Sequence, residues 1–142
     1  MSKDKVVAVN GFRTSIKELQ YNVKKPSIGN YNISITETST VESVEQDHFT
    51  IVVTRDISFV PDDISIRISL RVMFDIDKQK TAREFINDRN LMKEHLLKKT
   101  REFYLMTNAG QYLSTIVAEV TSWFGSTPLL LPPVLENNNN NS

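Results

Sequence analysis

The run Ile64-Ser-Ile-Arg-Ile-Ser-Leu-Arg-Val-Met-Phe-Asp-Ile76 constrains this chain more than any other segment. Every even position is apolar (Ile64, Ile66, Ile68, Leu70, Val72, Phe74, Ile76), and the odd ones are Ser65, Arg67, Ser69, Arg71, Met73 and Asp75. Period two over such a length specifies a strand with one buried and one wet face. Wound as a helix, the same residues would scatter charge onto every side. At about 3.3 Å per residue the strand is roughly 40 Å long. Upstream, Phe49, Ile51, Val53, Ile57 and Phe59 alternate with Thr50, Thr54, Asp56 and Ser58, while Val52 and Arg55 break the pattern. Pro61-Asp62-Asp63 separates the two runs and predicts an antiparallel hairpin. Tyr31, Ile33 and Ile35 mark another strand, whose end and following turn fall in the polar stretch 36–47. Earlier still, Phe12 and Ile16 share one parity and Leu19, Tyr21 and Val23 the other. That phase switch near Lys17-Glu18 predicts a bulge.

After Asp77 the period changes. Thr81-Ala-Arg-Glu84 has the form of a capping box, and Phe85, Met92, Leu96 and Phe103 follow at helical spacing. Residues 81–102 are therefore expected to be helical, with a break near Asn87–Asn90. A long helix is expected over about 105–124, with Ala109, Tyr112, Leu113, Ile116, Val117, Val120, Trp123 and Phe124 on one broad stripe. Gly125 stands where a left-handed cap belongs, and Pro128 prevents continuation. Four strands followed by helices give an α+β fold: a four-stranded antiparallel sheet, a helical crossover and one long helix in two layers. Residues 1–136 are expected to form a single domain. Residues 137–142, five asparagines and a serine, are expected to form a disordered tail.

Composition removes most chemistry. With 17 basic and 17 acidic side chains the formal net charge is zero, which argues against a nucleic-acid partner. The chain has no cysteine, hence no disulfide, thiol nucleophile or thiolate metal site. His48 and His95 lack the spacing of zinc ligands and are expected to be exposed surface residues. Four glycines cannot build a phosphate-binding loop. No enzyme activity, cofactor or metal is expected. Residues 78–102 hold 8 basic and 4 acidic side chains, a composition that suits either a solvated helix face or an acidic partner surface. The first nine residues hold only a short apolar stretch, against the roughly 7–15 residues of a signal peptide. No stretch approaches the about 20 apolar residues of a spanning helix. A cytoplasmic protein without membrane insertion is the expectation.

Apolar surface remains. A four-stranded sheet has two edges, and the 105–124 stripe is broad for one sheet, so a homo-oligomer is expected. Trp123 and Phe124 end the long helix, just before the proline-stiffened segment Thr127-Pro-Leu-Leu-Leu-Pro-Pro-Val-Leu135. Two roles are open to these rings. They belong to a core or subunit interface, or they floor a groove that accepts extended apolar polypeptide.

The segment Thr121-Ser-Trp-Phe-Gly-Ser-Thr-Pro-Leu-Leu-Leu-Pro-Pro-Val134, after four strands and a helical crossover, resembles the exit from the long helix in the SecB export chaperones. Gly125, Pro128, Leu129, Leu131, Pro133 and Val134 hold the matching positions, and the hairpin at 48–76 fits the family's third and fourth strands. The resemblance implies an ATP-independent holdase, a homotetramer or dimer that binds non-native polypeptides in apolar grooves, with a link to protein export. It places client contact near Trp123, Phe124, Leu129 and Leu131. Two departures weigh against docking of the translocation motor SecA. The net charge is zero where typical members are acidic, and the tail is asparagine-rich. A structural or regulatory homo-oligomer of the same fold, without clients, is the alternative.

If the exit segment forms the client groove, Leu129→Ser with Leu131→Ser weakens suppression of client aggregation and leaves the assembled mass unchanged. Loss of both properties together would assign the two leucines to the subunit interface.

Overall fold

The alternating run forms a strand of 13 residues, and three further strands extend the sheet around it. The computed structural model describes residues 5–23, 32–60 and 64–124, with Val23, Asn32, Phe59, Val60, Ile64 and residues 120–124 described by backbone only. Along the chain come β1 (Val9–Val23), β2 (Asn32–Val44), β3 (His48–Val60) and β4 (Ile64–Ile76). They are followed by α1 (Arg83–Asn87), α2 (Arg89–Lys98), α3 (Thr100–Leu105) and α4 (Ala109–Phe124). The strand order is β1-β4-β3-β2, antiparallel throughout, so β2, β3 and β4 meander and β1 returns beside β4. The fold is α+β.

Register follows hydrophobic parity. Phe49 faces Phe74, Ile51 faces Val72, Val53 faces Leu70 and Ile57 faces Ile66, and all eight side chains are buried on the helix side. Phe49 and Phe74 stack at 5.0 Å, and the Phe103 ring of α3 meets both edge-on at 5.1 and 5.4 Å. Along β1, Ile16 pairs with Leu70 and Glu18 with Ser69, leaving Lys17 over. This is the bulge that the parity switch predicts. It returns Leu19 and Tyr21 to the side already taken by Phe12 and Ile16. β2 continues to Val44, farther than its apolar alternation reaches, and carries a bulge of its own at Glu42.

The two extra residues meet over the outer face. Lys17 Nζ lies 2.7 Å from Glu42 Oε2, and Arg71 donates to the same carboxylate at 2.6 and 3.2 Å. Lys17 and Glu42 stand on opposite edges, which in a flat sheet lie about 14 Å apart at about 4.8 Å per strand. The two long side chains span most of that gap, and bulges of this kind add local twist that helps close it. Hydrogen bonds from Arg71, then Lys17, pull the Glu42 carboxyl down from 4.5 to about 2.

Helix boundaries correct part of the sequence reading. Thr81 and Glu84 do not form a capping box. The Thr81 hydroxyl instead accepts from Ala8 N at 2.9 Å and donates to Asp77 O at 2.7 Å, and Glu84 pairs with Lys5 at 2.7 Å. The chain start has captured both side chains, and α1 begins after Ala82 with no side-chain cap. The expected break falls at Asp88, which caps α2 by accepting from Asn90 N and Leu91 N. A second break at Lys99 separates α3. His95 is not an exposed surface residue. Its ring lies half-buried 4.6 Å from Phe85, and burial, then Lys99, lowers its pKa below 6.5.

Among the described residues Arg55 is the largest fully buried side chain. It occupies the helix-facing parity of β3, between Val53 and Ile57. Its Nε and Nη2 donate to Glu37 Oε2 on β2 at 3.1 and 2.7 Å, Nη2 reaches the Tyr104 hydroxyl of α3 at 3.3 Å, and Nη1 reaches Ser114 Oγ of α4 at 3.4 Å. Burial, then the Glu37 charge, pushes the Tyr104 phenol up to about 12, so it stays neutral. Ser39 Oγ to Thr100 Oγ1, at 2.8 Å, adds a second tie between β2 and α3.

Two outcomes follow from these charges. The folded-state pKa of Glu42 is depressed, so its stabilisation is complete above pH 4.5 and is lost as pH falls from there towards about 2. Glu42→Gln therefore flattens that part of an acid-unfolding profile and leaves its neutral limb in place. Glu37→Ala strands the Arg55 guanidinium and costs about 3 kcal/mol in urea unfolding, whereas Arg55→Met with Glu37→Leu stays within about 1 kcal/mol of the parent.

Candidate functional site

The helix layer does not cover the whole sheet. α2 and α3 lie over β2, and α4 lies over β4 through Ala109, Leu113 and Val117, each with no exposed surface. These three positions form one i, i+4 file, so among the described residues the stripe read from the sequence is only partly used. Ile116 is half-buried on one flank of it, and Tyr112 is exposed. On the same side of the sheet, Phe12, Ile16 and Leu19 of β1 are left open. Together with Leu105, Met106 and Tyr112 they are between 40% and 59% exposed, an apolar strip along one edge of the molecule.

Part of this strip borders a groove of about 490 Å³, lined by Phe12 of β1 and by residues 104–108, Gly110 and Gln111 of the α3–α4 corner. Its walls are firmly held. Phe12 leans on Phe74 at 6.2 Å and so extends the buried aromatic cluster to the surface. The α3–α4 corner is tied by Thr107, whose hydroxyl donates to Tyr104 O at 2.8 Å and accepts from Ala109 N at 3.1 Å. Arg55 anchors Tyr104 from below. Leu105 and Met106 are thus presented to solvent from a rigid turn, at little further cost in conformational entropy on binding. The arrangement provides apolar area without a charged or nucleophilic centre, which suits side chains of a polypeptide more than a reacting group.

The sequence-derived client residues are Trp123, Phe124, Leu129 and Leu131. The α4 backbone runs through Trp123 and Phe124, but those two side chains, like Leu129 and Leu131, fall outside the described residues. The strip of Phe12, Leu105, Met106 and Tyr112 was missed by sequence reasoning. Its one visible signal was the common facing of Phe12, Ile16, Leu19 and Tyr21 across the bulge. Among the described residues no cluster of His, Asp and Glu could hold a metal ion. His48 Nδ1 donates to Asp47 Oδ1 at 2.7 Å, and this hydrogen bond lowers the Asp47 pKa. No described helix is long and apolar enough to cross a membrane. On the outer face Arg67 pairs with Glu18 and Asp56, and Arg71 pairs with Glu42.

No protein-family profile and no curated protein sequence matches the chain. The fold, however, is that of a solved SecB-like chaperone, Rv1957 of Mycobacterium tuberculosis, in complex with a ChAD peptide from the Rv1956 HigA1 antitoxin. The TM-score is 0.61 and the identity 14%, over 92% of this chain and 91% of that one. A protein of unknown function from Streptococcus agalactiae is less similar, with a TM-score of 0.46 and 14% identity over 89% of this chain and 98% of that one.

Proposed function

We propose that the protein is an ATP-independent chaperone that holds non-native polypeptide against its exposed apolar strip, working by binding rather than by catalysis. The observation that carries this is the rigid, open groove between Phe12 and the Leu105–Met106 corner. A soluble domain that keeps six large apolar side chains at least 40% exposed along one edge needs something to cover them. The SecB-like fold supports the reading, because the Mycobacterium chaperone of that fold holds a peptide. Trp123, Phe124, Leu129 and Leu131 extend the proposed client surface beyond the C-terminal end of α4, and the working compartment is the cytoplasm.

Association into a homo-oligomer belongs to the same proposal, as does a link to protein export. Docking of the motor SecA does not. On the outer sheet face Arg67 and Arg71 are paired with carboxylates of neighbouring strands, which weakens any uniform field that would steer a charged partner. A second reading, a structural homo-oligomer without clients, is favoured by the position of Phe12, Ile16 and Leu19 on an edge strand, where another subunit could cover them.

The two readings separate in an aggregation assay. Leu105→Ser with Met106→Ser removes apolar area from exposed positions, so the melting temperature and assembled mass stay at parental values. Suppression of aggregation of an unfolded reporter is expected to fall at least threefold. A parental protein that fails to suppress aggregation at equimolar ratio would leave the structural reading standing instead.

A further inference from the structure

We propose that Met106 is a reversible modification site, at which a peroxide oxidises the thioether to the sulfoxide and the groove beside Phe12 loses its hold on apolar polypeptide. The chain has four methionines and no cysteine, so a two-electron oxidant meets thioethers and no thiols. The three methionines among the described residues are not equivalent. Met92 of α2 lies in the core and is 2% exposed. Met73 of β4 is half-buried on the outer face, and Arg13 Nη2 donates to its Sδ at 3.5 Å, engaging a lone pair that attack on an oxidant requires. Met106 is 59% exposed, more than any other large apolar side chain among the described residues. Susceptibility to oxidation follows exposure and a free sulfur lone pair, and both single out Met106.

Its position gives the oxidation a consequence. Met106 lines the groove together with Phe12, Tyr104 and Leu105. With hydrogen peroxide, a sulfur lone pair attacks one oxygen, the S–O bond forms and the O–O bond breaks. Sulfur gives up two electrons, and the departing hydroxide takes the proton of the transferred oxygen to leave as water. A flexible apolar side chain becomes a polar, chiral one. Asn108 and Gln111 also line the groove, and their amide N–H groups are donors that a sulfoxide oxygen accepts well and a thioether sulfur only weakly. The oxidised group thus has polar neighbours and holds water where an apolar client residue would rest. The fold does not depend on the exchange. Met106 closes α3 through its backbone N–H, which donates to Glu102 O at 3.3 Å and Phe103 O at 3.1 Å, while its side chain faces solvent. A dithiol acting through a methionine sulfoxide reductase reverses the step, becoming a disulfide as the oxygen leaves as water.

The consequence for binding rests on the chaperone reading, whereas the site of oxidation is read by mass alone. Lysines and arginines place the four methionines on separate tryptic peptides, 1–3, 72–78, 90–93 and 102–142. After brief treatment of the full chain with hydrogen peroxide, tandem spectra should place the added oxygen on Met106 about fivefold faster than on Met73 or Met92. The oxidised protein should keep the parental melting temperature and suppress aggregation of an unfolded reporter about threefold less well. Methionine sulfoxide reductase with dithiothreitol should restore the suppression. In Met106→Leu, whatever its starting level, suppression should not change on peroxide treatment. Oxidation of Met106 no faster than of Met73 overturns the site, and a second copy covering the groove would produce that outcome. A peroxide effect that persists in Met106→Leu overturns it as well. Unchanged suppression by a protein oxidised at Met106 overturns the proposal and leaves the chaperone reading standing. An untreated parental protein that suppresses nothing overturns both.

Discussion

A guanidinium shut off from water lies at the centre of this domain, and the placement of four elements depends on satisfying it. Burying a charge of that kind costs several kcal/mol unless its donors are met by well-placed acceptors. Arg55 meets Glu37 on the neighbouring strand, the Tyr104 hydroxyl on α3 and Ser114 on α4. A slip of β2 by one residue would send Glu37 to the outer face and leave the charge stranded. The aromatic cluster of Phe49, Phe74 and Phe103 supplies area and would tolerate small shifts, whereas the arginine does not. Packing makes this two-layer structure stable, and the buried ion pair fixes its register.

That register leaves one part of the sheet without a roof. With α3 and α4 drawn over β2, β3 and β4, the helix layer stops short of β1, whose apolar side chains continue the core pattern into solvent. The exposed strip is therefore a by-product of where the helices are anchored rather than of unusual residues in β1. Its rigidity has the same origin, because Tyr104 and Thr107 pin the corner that carries Leu105 and Met106. The outer face solves the opposite problem. There the edge residues Lys17 and Glu42, each made surplus by a bulge, close a charge network across the sheet through Arg71. One face is thus laced by ion pairs, and the other is open in apolar area.

Strand periodicity, the bulge near Lys17 and the order of strands before helices were legible in the sequence, because a period of two and its phase depend only on local backbone geometry. So was the break at Asp88, where a side chain able to cap a helix stands between two helical patterns. The roles of Thr81 and Glu84 were not legible. Their local partners were outcompeted by a chain start lying more than seventy residues away, and no window of sequence contains both. Arg55 left a trace as a break in alternation, but its partners come from three other elements, so its meaning appeared only on folding. The exposure of Phe12, Leu105 and Met106 is of the same kind. An apolar residue in a strand or at a helix end has the same sequence signature whether covered or bare, and coverage is decided by where distant helices come to rest. What the sequence determined by itself was which side each residue of the long strands would face. Which parts of that side stay open to a partner was decided by the tertiary structure, because burial is a property of pairs of surfaces and not of segments.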